Sequence, residues 1–444
     1  MATLAHVLIA TTPADGHVNP VLPIARHLTR RGHEVRWYTG QAYRDKVAEV
    51  GATHEPMHTA YDFGGLSKEE AFPAHAGLSG LASFRAGMED IFYNTAPSQM
   101  KDLLEIIERF RVDVIVSDDM CYGACFAREH TGIPLAWVGN SIYILNSRDT
   151  APLGYGLGPS SSRPGRLRNR LLTLAGDHLA LRATRKRADE VRGETGLPRL
   201  GASVMENIAR RPDLYLVGTV ESFEFPRSDL FEGTHFVGPL DLPAADTRFD
   251  PPPWWHELAD GRRVVLVTQG TIANDAQRLL VPAIRALADL PVLVVVTTGN
   301  RPLDANTARS LPANVRVERF VPYHRLLPHV DVMVTNGGFN GVNAALAHAV
   351  PLVVAGASEE KADVAARVRW AGVGIALGRR TLTPQRIRRA VGAVLADTRY
   401  RQAAARLREE YLGHDGPRRA AELIEGLIGT YDPAAQAPVT GGIQ

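Results

Sequence analysis

Two polar residues in the first half of the chain have the chemistry of a general base and its partner. His17 lies in the loop Pro13-Ala14-Asp15-Gly16-His17-Val18-Asn19-Pro20, between an apolar run at 6–10 and an amphipathic stretch opening at Val21. Asp118 closes another apolar run, at 112–117. A neutral imidazole is a base near neutral pH when a carboxylate fixes its tautomer. Both residues stand where a parallel strand would end, so the fold could bring them together. A structural or solvated loop histidine is the plainer alternative.

The strongest signal in the second half is Thr335-Asn336-Gly337-Gly338-Phe339-Asn340-Gly341, between an expected strand at 331–335 and an expected helix at 342–349. Glycines there let backbone N–H groups approach a phosphate, and a helix N-terminus adds partial positive charge. The dinucleotide fingerprint G-x-G-x-x-G and the phosphate-loop pattern G-x4-G-K-[ST] are both absent, so neither kind of site is implied. Phe320-Val321-Pro322-Tyr323 follows another strand, where an aromatic could stack on a nucleobase or fill a core. Ser358-Glu359-Glu360-Lys361-Ala362-Asp363 follows the run at 351–355. Polar groups at the carboxyl end of a parallel strand sit where open α/β sheets bind ligands, although a solvated helix start reads the same way.

These residues need a scaffold, and the hydrophobic pattern supplies one. Apolar runs at 6–10, 34–39, 112–117, 133–138 and 214–217, then at 264–268, 292–297, 315–318, 331–335 and 351–355, are expected as strands. Amphipathic helices lie between several of them; Val21, Ile24, Ala25 and Leu28 share one helical face. Strands without alternation, separated by helices, imply an α/β fold with parallel sheets covered on both sides. Both halves open with strand, loop and helix, so two Rossmann-like domains in tandem are expected. The Pro-, Asp- and Gly-rich stretch 225–260 reads as an inter-domain linker. Arg-rich helical segments such as 166–192 read as solvated faces.

Composition narrows the class. The chain has 444 residues, enough for two or three domains of roughly 150. Lys plus Arg is 50 and Asp plus Glu is 48, a balance that argues against a nucleic-acid binder. No run of 18 apolar residues suggests a membrane span, and the first residues read as a strand rather than a secretion signal. The only cysteines, Cys121 and Cys125, cannot staple a chain of this size, so a cytoplasmic setting is expected.

With these residues in view, the chain resembles the GT-B UDP-glycosyltransferases of glycosyltransferase family 1, especially bacterial natural-product members of the macrolide type. Gly16-His17-x-x-Pro20 is similar to that family's early loop, and the block from Phe320 to Lys361 is similar to its donor signature in order and spacing. The resemblance covers nearly the whole chain. It implies an acceptor-binding domain at 1–224, a linker at 225–260, a donor-binding domain at 261–412, and a final segment, 413–444, whose helix returns to the first domain. It further implies that His17 deprotonates an acceptor and that Asp118 orients it, with the adjacent Asp119 open as that partner. Phe320 would stack on the base and the Val321 backbone would meet its edge. Thr271 and Asn336 would face the diphosphate, with Gly337, Gly338, Phe339, Asn340 and Gly341 completing the cradle. Glu360 and Lys361 would reach the sugar.

Three residues depart from the family pattern. Asn336 stands where His is usual, Ala344 where Glu commonly holds the ribose, and Lys361 where Gln is usual. The loss at 344 leaves dTDP-sugars open beside UDP-sugars, with Asn343 a possible substitute for the missing contact. The expectation is an inverting, metal-independent transfer from a nucleotide-sugar co-substrate, with no further cofactor, to an apolar or aromatic small molecule. The aromatics Phe63, Phe72, Phe84, Phe92, Tyr93, Tyr143 and Tyr155 are candidates for lining the acceptor site. A non-catalytic sugar-nucleotide binder or auxiliary protein, and an epimerase-type hydrolase, are the alternatives. Monomer and homodimer both remain open, and His54-x3-His58 is set aside as a zinc site.

Overall fold

The computed structural model describes residues 4–139, 141–240, 249–269, 276–299, 302–356, 360–378 and 382–428. Its first sheet contains β1 (His6–Ala10), β2 (Glu34–Thr39), β3 (Thr53–Pro56), β4 (Val114–Asp118), β5 (Leu135–Gly139), β6 (Leu214–Val217) and β7 (Thr234–Phe236). The strands are parallel, in the order β3-β2-β1-β4-β5-β6-β7. The second sheet contains β8 (Arg263–Thr268), β9 (Val292–Thr297), β10 (Val315–Glu318), β11 (Val332–Thr335), β12 (Leu352–Val354) and β13 (Gly374–Ala376). It too is parallel, in the order β10-β9-β8-β11-β12-β13. Each sheet starts at its middle and winds outward both ways. The order therefore reverses between β1 and β4, and again between β8 and β11, and each reversal opens a crevice at the carboxyl edge.

The central strands are buried because they carry apolar residues on both faces: Val7, Leu8, Ile9 and Ala10 of β1 are fully buried, as are Val265, Leu266 and Val267 of β8. The helix Leu22–Arg30 covers one face of the first sheet through Ile24, Ala25 and Leu28. Strands β3, β7 and β13 carry no apolar run long enough to announce them. All three lie at sheet edges and are only partly buried, so packing asks less of their side chains.

The described residues of the stretch 225–260, expected as an inter-domain linker, are packed: β7, Val237 and Leu240 belong to the first sheet and its core, while Trp254, Trp255 and Leu258 pack on the second. The segment 166–192, expected as a solvated face, is not solvated throughout. Arg192 is fully buried in a bidentate pair with Glu129, at 2.8 and 2.7 Å, and donates to the Pro198 and Ile208 carbonyls. Its helical register turns it inward beside Ala188 and Val191.

The halves are joined by buried polar contacts. Glu224, after β6, accepts from Arg367 Nε at 2.9 Å and Nη2 at 2.5 Å, and from Arg227 at 3.1 Å. Burial opposes its ionisation, but the two guanidinium groups hold its pKa below the usual carboxylate range. Thr219 donates to Asn343 Oδ1 at 2.6 Å, and Tyr411 also bonds that oxygen. The helix Gly416–Ile428 packs Ala420, Ala421 and Ile424 into the first core, and its Glu425 accepts from Arg31 and His33. No helix among the described residues is long and apolar enough to cross a membrane.

Replacing Glu224 by Ala leaves Arg367 and Arg227 buried without their counter-charge. The expected loss is about 3–5 kcal/mol of stability, typical of breaking a buried pair from one side. Urea denaturation checks it; an unchanged midpoint would show that the cluster does not hold the halves together.

Candidate active site

Both reversals of strand order place polar residues at the carboxyl edges. In the first sheet, Ala10 of β1 is paired with Ser117 of β4, so the residues just beyond them are neighbours. Thr12 N–H donates to Asp118 Oδ2 at 2.7 Å and Met120 N–H donates to Oδ1 at 3.0 Å. His17 follows on a single helical turn, Asp15–Val18, its N–H bonded to the Ala14 carbonyl at 2.9 Å. Its Nδ1 lies 2.8 Å from Asp118 Oδ1. A carboxylate accepts from Nδ1–H, which leaves the lone pair of the neutral ring on Nε2.

Asp118 is fully buried and His17 mostly so. Burial pushes the imidazole pKa down, but the Asp118 charge and hydrogen bond push it up, with Asp119 and Glu360 adding to them. The balance lies above the ordinary histidine value. Glu360 belongs to the second half, so charges from both halves act on this imidazole. The Phe92 ring centroid lies 5.9 Å from that of His17.

Asp119, the alternative partner, is occupied elsewhere. It is fully buried and accepts from Tyr215 OH at 2.8 Å. Burial and that carboxylate push the Tyr215 phenol well above its usual pKa. Asp118 closes β4 and Asp119 opens the turn after it, and the two side chains go to different partners.

In the second sheet, the turn after β11 folds over the end of β8. Asn336 Nδ2 donates to the Gln269 carbonyl at 2.5 Å, while its Oδ1 accepts from Gly338 N–H at 3.3 Å. Gly337 has φ +90°, and a Cβ there would meet Val354 at 2.8 Å. Gly356 is more constrained still, since its Cβ would sit 1.6 Å from the Asn336 carbonyl oxygen. Close backbone stacking thus brings the turn and the end of β12 together. Gly338 precedes the helix Phe339–Ala347, whose first-turn N–H groups, including those of Asn340 and Gly341, have no acceptor within the helix.

The other expected residues divide. Phe320 is 76% exposed at the end of β10, whereas the Val321 side chain is buried in the core below. Glu360 directly precedes the helix Lys361–Trp370; Lys361 is buried and packs its Cβ 3.7 Å from the position a Gly337 Cβ would take. Thr271 lies outside the described residues. The Phe339 side chain lies in the core with Val342 and Leu346, which leaves its backbone for the expected cradle. The Asn343 side chain is engaged in packing: Thr219 and Tyr411 bond its oxygen, and its amide donates to the Phe339 carbonyl at 3.0 Å. Among the aromatics, Tyr93 and Tyr143 belong to the first core, Phe63 is buried, and Phe92 approaches His17. Sequence reading missed the Thr12 N–H and the Gln269 carbonyl, main-chain groups that leave no side-chain signature.

The chain is similar to known proteins over nearly its whole length. Residues 282–427 match the family model described as Erythromycin biosynthesis protein CIII-like, C-terminal domain. The chain is 59% identical over 424 residues to 4'-demethylrebeccamycin synthase of Lentzea aerocolonigenes, covering 96% of this chain and 100% of that protein. It is 31% identical to UDP-glycosyltransferase 2 of Phaeomoniella chlamydospora, covering 95% of each. Among solved structures, the glycotransferase of kitacinnamycin superposes with a TM-score of 0.75 at 25% identity, covering 96% of this chain and all of that one. The calicheamicin glycosyltransferase CalG4 superposes at 0.74 and 24% identity, covering 97% and 100%, and so supports the fold. The chain belongs to the GT-B glycosyltransferases of the natural-product type, and it is an enzyme of that class.

Replacing Asp118 by Asn removes the charge that offsets burial of His17. The imidazole pKa is then expected to fall, and the histidine-dependent acidic limb of any pH–rate profile moves to lower pH with it. NMR titration of the His17 ring checks this; an unmoved titration would rule out Asp118 as the main source of the shift.

Proposed function

We propose that this enzyme moves a sugar from a nucleoside-diphosphate donor to a hydroxyl of an apolar or aromatic natural product, with inversion and without a metal. The observation that carries the reading is the His17–Asp118 pair at the crevice of the first sheet, with Glu360 of the second half acting on the same imidazole. His17 Nε2 takes the acceptor proton as the oxygen attacks the anomeric carbon. The C–O bond to the diphosphate breaks as the new glycosidic bond forms, and a single displacement inverts that carbon. Asp118 stabilises the imidazolium. A positioned base of this kind contributes on the order of 10²–10⁴-fold to rate.

The departing diphosphate carries charge toward the turn 336–341. There the second Asn336 amide hydrogen and the N-terminus of the helix Phe339–Ala347, with its Asn340 and Gly341 N–H groups, supply donors and a partial positive charge. Asn336 cannot carry charge where the family usually has His, so more of this stabilisation falls to backbone N–H groups. These donors can offset phosphate charge without a metal. Exposed Phe320 is available to stack on a base. Thr271 is assigned to the diphosphate by resemblance alone, as Glu360 and Lys361 are to the sugar. A UDP-sugar such as UDP-glucose is favoured, because relatives about 30% identical are named UDP-glucosyltransferases. The 4'-demethylrebeccamycin synthase relative and the aromatic Phe92 beside His17 support this acceptor class.

Calorimetric titration with UDP, dTDP and ADP tests the donor. UDP is expected to bind most tightly; preference for dTDP would move the reading to deoxysugar transfer, and binding of none would overturn the assignment of these nucleotides to the donor. His17→Ala is expected to abolish nearly all transfer while UDP affinity stays intact, and parallel loss of both would remove His17 from the role of base. Phe320→Ala is expected to weaken UDP binding by roughly 1–3 kcal/mol, the worth of a base–aromatic stack; unchanged affinity would place the base elsewhere.

A further inference from the structure

The helix that starts after Glu360 is also tied to the first half of the chain, through a residue outside the site just described. Asp363 lies in the first turn of the helix Lys361–Trp370 and is 6% exposed. Its Oδ2 accepts from Gly154 N–H at 2.5 Å and its Oδ1 from Gly156 N–H at 2.9 Å. Arg369, on the same helix, donates to the Gly156 carbonyl at 2.9 Å. Gly156 has φ +62°, and a Cβ there would lie 2.9 Å from the Ala362 carbonyl oxygen, so a side chain would not fit the approach. Leu153, just before, packs against the cores of both halves.

The base of this loop is fixed to the first half. Asp149 accepts from Arg166 Nε at 2.7 Å and from Ser228 N–H at 2.8 Å, while its carbonyl accepts from Ser160 N–H at 2.8 Å. The loop is thus anchored at its base on one half and at its tip on the other. Asp363 lies one helical turn beyond Glu360, whose charge acts on His17. Tyr155, 40% exposed, is carried between the two tied glycines.

We propose that Asp363 is a positioning residue for the transfer, holding segment 153–156 against the donor-side helix so that acceptor, sugar and His17 adopt one geometry and water is kept from the donor. The proposal rests on the glycosyl-transfer reading above. A carboxylate suits the task because it offers an oxygen to each of two N–H groups. An amide has one acceptor oxygen and would lose one of the bonds. A tie of this kind acts on the acceptor and on water exclusion, with little effect on the nucleotide.

The test uses the full chain, UDP-glucose as donor and the aglycone of 4'-demethylrebeccamycin as acceptor. Asp363→Ala is expected to raise acceptor KM about tenfold, as loss of a charge-assisted hydrogen bond would. It should also raise the ratio of donor hydrolysis to transfer, with UDP affinity unchanged. Asp363→Asn should fall between the two. Gly156→Ala breaks the same approach from the other side and should give the same signature, which keeps the proposal testable if Asp363→Ala folds poorly. An unchanged KM and hydrolysis ratio in a folded variant would overturn the proposal, and so would a joint fall of kcat and UDP affinity. A wild-type chain that binds UDP but forms no product would count against the reading of function, not the tie. Hydrogen exchange at the Gly154 and Gly156 amides reads the tie without turnover, and protection retained in Asp363→Ala would overturn it.

Discussion

The constraint on which the rest depends is the reversal of strand order at the centre of each parallel sheet. Loops after neighbouring strands β1 and β4 diverge there, as do those after β8 and β11, and a crevice is left between them. Residues far apart in the chain are brought to one edge by this geometry alone. His17 and Asp118 meet because β1 and β4 are paired in register, and Asn336 reaches the Gln269 carbonyl because β8 and β11 are.

Two opposed effects set the state of the imidazole. Removing it from water favours the neutral ring, and a buried carboxylate at 2.8 Å favours the charged one. The balance falls on the charged side, with the Asp118 oxygens also accepting from the Thr12 and Met120 N–H groups. A group balanced in this way can accept a proton without large rearrangement, which suits the proposed base. The second half contributes as well, since Glu360 acts on the same ring.

Polar contacts join the halves as well as apolar packing. Glu224 with its two arginines, Thr219 with Asn343 and Tyr411, and Asp363 with Gly154 and Gly156 are directional. Hydrogen bonds of this kind favour one relative placement over its neighbours, whereas an apolar contact tolerates sliding. A site assembled from two domains needs that definition.

The amino-acid pattern by itself determined the class of fold and the local elements. Apolar runs such as Val264–Val267 can be hidden only between helical layers, and the glycines at 337 and 338 mark a strand-to-helix turn. It also located His17, Asp118 and the turn 336–341, because residue type and strand end are local properties. Tertiary structure alone decided between Asp118 and Asp119: both are buried, and only packing shows that the first meets His17 and the second Tyr215. It turned Arg192 and the Phe339 side chain into the core, engaged Asn343 with Thr219 and Tyr411, and made β7 part of the first sheet. Asp363 became a tie between halves for the same reason. Its partners are backbone N–H groups more than 200 residues away, and a main-chain donor carries no mark in the sequence.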